Sequence, residues 1–258
     1  MGGERVLPPQ QRWVSFPQAL TGEALEENDL HVLDISKAKS DGATKTRKRI
    51  PREQRHQLII EEATALFAEK GLSADMRELA RRLGITHPAL FRHFTNKDAL
   101  IAEVYERTFI GNWDPAWEGM ITDRSIPLPE RLTAFYKSFS RVALSFTWVR
   151  LYMFAALEGL EAHKAIYQFI GSRLIQLLCV EIRASYDLPT VDKLPLQEME
   201  LELVWSFHSR IFYLGIRKHI YGMQLPDDLD GVIAAEAATM TMGLGPYLSF
   251  MLEDLRRE

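Results

Sequence analysis

Apolar residues recur at three- and four-residue steps along most of the chain after residue 51, and sustained strand alternation is absent. The pattern predicts an all-α protein of about nine helices. Leu58, Ile59, Ala63, Leu66 and Phe67 mark the first, with Pro51 at its start and Gly71 at its end. Met76, Leu79, Ala80 and Leu83 mark a second over Asp75–Leu83. A third is expected over His87–Phe94. A fourth carries Leu100, Ile101, Val104 and Tyr105 and fades near Gly111. Residues 112–128 are rich in Trp, Pro, Gly and Asp and read as a loop or broken helix. Long helices then follow from Pro129, Trp148, Ala162, Pro195 and Asp227. The Trp148–Leu160 stretch is apolar nearly all round and is expected to be buried.

The second and third helices are joined by very little chain. Small Ala80, then Gly84, then apolar Leu90 is helix-turn-helix spacing: the small residue lets the helices approach, the glycine makes the turn, and the apolar residue pins the second helix. Asp75 with Glu78 reads as a capping box, and Thr86 as the cap of the helix containing Pro88. Such a unit presents its second helix to the major groove.

Charge sharpens this picture. The net charge is −4, yet residues 45–97 hold 12 Lys/Arg against 6 Asp/Glu, leaving 19 basic and 29 acidic residues elsewhere. A basic segment on an acidic body suggests that only the first meets a polyanion. The run Thr44–Arg49 is basic and stands just ahead of the first helix, where it can serve as an arm reaching phosphates or the minor groove. Residues 1–44 mix Pro, Gly, Ser and charges without periodicity and are expected to be a disordered extension. The single cysteine, Cys179, sits in an apolar helical run, excludes an internal disulfide and reads as a core residue. No unbroken run of 18 apolar residues and no signal-peptide pattern is seen, so the expectation is a cytoplasmic protein without a membrane partner.

Residues 52–112 resemble the DNA-binding domain of the TetR family of bacterial transcriptional regulators. The resemblance is carried by Ala63-Thr-Ala-Leu-Phe67-Ala-Glu-Lys-Gly71, Arg77-Glu-Leu-Ala80-Arg-Arg-Leu-Gly84-Ile-Thr86, Ala89-Leu-Phe-Arg-His-Phe94 and Asn96-Lys97-Asp-Ala-Leu100. It implies three parts: the extension 1–44, a helix-turn-helix domain at 45–112, and a helical bundle at 113–258 for ligand binding and dimerisation. It implies a homodimeric, ligand-responsive repressor on a palindromic operator. A DNA-bound adaptor whose body binds a protein partner is the alternative. Positions set toward DNA are Arg47, Lys48, Arg49, Asp75, Thr86, His87, Pro88, Phe91, Arg92, His93 and Lys97. Lys97 resembles the family's phosphate-contacting lysine. Asp75, Pro88 and Phe91 depart from the usual family residues, and the family's tyrosine–phosphate contact is not carried onto Phe91.

The resemblance also implies that the helices of the body surround a ligand cavity; the body is rich in aromatic residues, and a mostly apolar cavity suits a small organic effector, with no cofactor or metal expected. Candidate effector contacts are Trp117, Phe139, Trp148, Arg150, Tyr152, Glu158, Tyr167 and Arg210. Arg210, among aromatic neighbours, needs a partner: an internal carboxylate such as Glu158 is favoured over an effector anion. By the same resemblance, the apolar faces of the last two helices, from Leu201 to Gly215 and from Ile233 to Gly245, are expected to form the dimer surface, with the subunit's own core as the alternative. No metal-peptidase, nucleophile-elbow or phosphate-loop motif argues for an enzyme.

Overall fold

The computed structural model describes residues 51–254. The extension at 1–44 and the arm residues Arg47, Lys48 and Arg49 lie outside the described residues. The described chain is all-helical, with no strand. Its elements are α1 (Arg52–Lys70), α2 (Met76–Arg82), α3 (His87–Leu90), α4 (Lys97–Tyr105), α5 (Ala116–Thr122), α6 (Leu128–Ala143), α7 (Phe146–Leu157), α8 (Glu161–Ile170), α9 (Gln176–Ser185), α10 (Glu198–His219) and α11 (Leu229–Asp254). A π-helical turn, Glu106–Ile110, extends α4, and another, Gly171–Ile175, joins α8 to α9 without a break.

Local chemistry sets the boundaries. Gly71 takes a φ of +85°, and its N–H returns to the Phe67 carbonyl at 2.9 Å, ending α1. The Asp75 carboxylate accepts from the Arg77 N–H at 2.8 Å and starts α2. Asn96 caps α4 by accepting from the Ala99 N–H at 2.8 Å, and Ser145 caps α7. The reciprocal capping box expected at Asp75 and Glu78 does not form, because the Glu78 carboxylate is drawn to Lys70 and Arg82. A true box opens α10 instead, between Gln197 and Glu200.

The core runs continuously from Ile59, Leu66 and Phe67 of α1 through Leu100 and Val104 of α4 to Phe135 and Tyr136 of α6. Helix α6 packs on α5 and α11, while α7 packs on α1 and α10. Two charged clusters lie inside the bundle. Glu181 accepts from Arg124 and from Arg131, the latter at 2.8 Å and almost wholly buried. Arg183 pairs with Glu200 and also donates to the carbonyls of Pro189, Leu194 and Pro195, fixing the chain between α9 and α10. Both clusters satisfy the rule that a buried charge is paired and hydrogen-bonded.

Other expectations change as well. A short helix, α5, forms inside the stretch read as a loop, with Trp117 and Ile121 buried. Helix α7 is not buried all round: Val149, Leu151 and Ala155 enter the core, while Ala156 and Leu157 near its end are exposed. The continuous Glu161–Ser185 helix is long and apolar enough to cross a bilayer by length and composition. Its charged residues break any unbroken apolar run but leave an 18-residue window that passes that test. In the fold this helix supplies core residues Leu174, Ile175 and Leu178, and its Glu181 and Arg183 are paired within the protein.

Candidate functional site

The turn between α2 and α3 is short because Gly84 adopts a φ of +63° and the Ile85 N–H reaches back to the Ala80 carbonyl at 3.0 Å. Ala80 and Leu90 are buried at the contact, as the spacing predicts. Helix α3 is shorter than expected. After Leu90 the backbone tightens into three-residue bonds, Arg92 N–H to Ala89 and His93 N–H to Leu90, so residues 91–93 are turns rather than α-helix.

The outward face carries Thr86, His87, Pro88 and Arg92, all exposed. Thr86 occupies the cap position, but its hydroxyl makes no capping bond. Arg92 forms no ion pair among the described residues. Asp75 is exposed and is spent on capping α2. Phe91 is half-buried against the core, its ring 4.9 Å from that of His87.

His93 turns inward rather than out, its ring 6.0 Å from that of His56 on α1. Burial, then the nearby His56, Arg52 and Arg55, hold its pKa below the usual value. Lys97 is half-buried and donates to the Ala74 carbonyl at 2.8 Å, with two further donors on the same nitrogen.

The three arginines of α2 divide between support and display. Arg82 is held by Glu62, Glu69 and Glu78, bonds that outweigh desolvation and raise its pKa, so it ties α2 to α1. Arg81 is mostly exposed, and Arg77, four residues earlier on the same face, is exposed as well. That four-residue spacing of basic side chains was the available signal for Arg77.

A second feature is a cleft of about 660 Å³ between α7, α8 and α10, within the usual range for small-molecule sites. Four expected residues meet there: Trp148, Tyr152, Tyr167 and Arg210. Trp117 and Phe139 do not, being packed in the core beside Phe135, with the Trp117 indole N–H bonded to Ser138. Glu158 caps the end of α7 and is exposed. Arg150 faces α1 and bonds the carbonyls of Ala68 and Glu69.

The expected Arg210–Glu158 pair is not formed. Arg210 is half-exposed and pairs with Glu236 of α11 at 3.2 Å. The cleft also takes in Glu202, Trp205, His208 and Phe212, which fall in the Leu201–Gly215 stretch read as a dimer or core face and not as effector contacts. His208 is deeply buried near the Tyr136 hydroxyl, and burial pushes its pKa down to about 4.

Of the apolar faces on the last two helices, Val204, Leu214, Ile233, Ala237 and Met240 are buried within the subunit, so the core reading holds for them. The opposite face of α11 exposes Met242, Pro246, Tyr247 and Phe250 at helical spacing.

Residues 59–104 match the family profile described as "Bacterial regulatory proteins, tetR family". The HTH-type transcriptional repressor Rv3405c of Mycobacterium tuberculosis is 40% identical over 63 residues, 23% of this chain and 34% of that protein. The HTH-type transcriptional activator FasR of Mycolicibacterium smegmatis is 33% identical over 67 residues, 26% of this chain and 31% of that protein. The matched region thus spans about a third of the length of these curated relatives. The fold resembles a TetR-like transcriptional regulator from a Rhodococcus species, with a TM-score of 0.57 and 18% identity over 76% of this chain and 100% of that one. A TetR-family regulator from Streptomyces coelicolor gives a TM-score of 0.56 and 16% identity over 81% of this chain and 89% of that one. At these identities the likeness to solved structures is one of fold.

Proposed function

The chain belongs to the TetR family of bacterial regulatory proteins, and on that premise we propose that it is a sequence-specific DNA-binding transcriptional regulator, a repressor released by a small organic effector. The observation that carries the reading is the outward face of the helix-turn-helix. Thr86, His87, Pro88 and Arg92 are exposed together, while Ala80, Leu90 and Phe94 hold the unit from behind. Arg92 can grip a guanine through two acceptors, and Thr86 suits a phosphate. Arg77, Arg81 and Lys97 add positive charge on either side.

One such unit reads only a few base pairs, so the protein acts as a two-fold dimer with recognition helices about 34–36 Å apart. The exposed α11 stripe of Met242, Pro246, Tyr247 and Phe250 supports this, because apolar residues so arranged on a helix call for a partner surface. The repressing sign follows the more similar of the two named relatives. The cleft between α7, α8 and α10 takes the effector. Its walls Trp148 and Tyr152 touch Phe109, just beyond α4, which gives an occupied cleft a physical route to the reading head.

The test is selection of bound sites from random duplex DNA at low salt, followed by gel shift. The expected result is a palindrome bound by two copies of the chain. Failure to enrich any sequence would overturn the reading.

A further inference from the structure

The chemistry of the cleft names a class of ligand. Six of its lining side chains are aromatic: Trp148, Tyr152, Tyr167, Trp205, Phe212 and Tyr213. Tyr167 and Trp205 lie parallel at 4.4 Å, Trp148 and Tyr152 nearly so at 5.3 Å, and Phe212 meets the second pair edge-on. Aliphatic lining is limited to Met153, Ile170 and Ile216, so the apolar walls are mainly flat rings.

The charges in the cleft do not balance. Arg210 is answered by Glu236, so an acidic ligand would have to compete for it. Burial keeps His208 neutral at ordinary pH. Glu202 forms no ion pair among the described residues, and its charge is close enough to raise the pKa of Tyr167 alongside the effect of burial. An unanswered carboxylate beside aromatic faces attracts positive charge twice over, by Coulomb attraction and by the ring quadrupole.

We infer that the cleft between α7, α8 and α10 binds a planar organic cation, its ring system against the aromatic walls and its charge facing the Glu202 carboxylate. The inference rests on the reading of this cleft as the effector site and gives that effector a chemical class.

Three probes of one shape and different charge test it: N-methylacridinium, acridine at mildly alkaline pH where it is neutral, and acridine-9-carboxylate. Each is titrated calorimetrically into the full-length protein and into its Glu202→Gln variant. Glu202 is exposed, so the substitution leaves folding intact. The cation is expected to bind about tenfold or more tighter than acridine, and Glu202→Gln to remove that preference while leaving acridine unchanged. Equal binding of all three, tightest binding of the carboxylate, no binding of any, or a preference that survives Glu202→Gln would overturn the inference. A gel shift with the same probes separates the two readings. If the cation binds as expected but leaves DNA affinity unmoved, the ligand class stands and the effector role fails. If no probe binds while DNA is still recognised, the ligand class fails and the DNA-binding reading stands.

Discussion

Arg150, midway along α7, donates its Nε–H to the carbonyl of Ala68 in the last turn of α1, at 2.5 Å. A second donor of the same guanidinium reaches the Glu69 carbonyl at 3.2 Å. These carbonyls have no partner within their own helix, and a cation at the C-terminal end of a helix is favourably placed. The guanidinium also lies over the rings of Phe154 and Phe146. Arg150 therefore clamps the first helix of the reading head to the bundle. Replacing it with Met keeps much of the stem's packing and removes the bonds. The expected outcome is a loss of about 1–2 kcal/mol in unfolding free energy, measured by urea denaturation. Arg150→Lys should fall between the two, since it keeps the charge and loses the fork. A Met variant as stable as the parent would show that the clamp contributes nothing.

Lys97 carries two duties on one nitrogen. Its bond to the Ala74 carbonyl fastens the start of α4 to the segment before α2, and its remaining donors can face a phosphate. Lys97→Ala should weaken binding to all DNA sequences alike and lower the salt slope of binding by about one. It should also cost about 0.5–1.5 kcal/mol of stability through the orphaned carbonyl. Arg92→Ala is the counterpart: no stability change, and discrimination at one base pair reduced by about 1–3 kcal/mol. Binding curves across a salt series on matched and mismatched sites separate the two. A base-selective loss from Lys97→Ala would contradict its assignment.

The helix-turn-helix was legible because its determinants are local. Ala80, Gly84 and Leu90 act within eleven consecutive residues, and each sits where its size or φ is required. The length of α3 was not legible, since nothing in the sequence of residues 91–93 forbids another helical turn. Side chains whose partners lie far along the chain were harder still. Arg82 meets Glu62 and Glu69, Arg131 meets Glu181, and Arg210 meets Glu236 instead of Glu158. The aromatics show the same limit. Trp117 and Trp148 look alike in sequence, yet one faces Phe135 and the other a cleft, a difference made by tertiary packing alone.

Gly215 lies where α10 packs against α7. A Cβ added there would stand 2.7 Å from Cγ2 of Val149 and 3.1 Å from Cδ2 of Leu144. Val149 is β-branched and fully buried, so it cannot swing aside. Gly215→Ala should destabilise by about 1–3 kcal/mol, against the gain that alanine gives an unobstructed helix. Pairing it with Val149→Ala should recover part of the loss, as read from the double-mutant cycle. Simple additivity would mean that the two residues do not touch.

His208 makes stability depend on acid. Burial holds its pKa at about 4 in the folded protein, against about 6.5 in an unfolded chain. Between those values the unfolded state takes up a proton that the folded state refuses, so stability falls as pH drops below about 6.5 and levels off, for this residue, below about 4. From pH 7 to pH 5 the loss from His208 is of order 2 kcal/mol. The pKa values of His93 and His163 are also lowered, chiefly by burial, and act in the same direction. His208→Gln removes the titrating group while keeping a polar side chain near the Tyr136 hydroxyl. Urea unfolding at pH 7 and pH 5 should show the variant losing about 2 kcal/mol less than the parent across that interval. Equal losses would mean that the imidazole is protonated within the fold, which would also add a positive charge to the floor of the cleft.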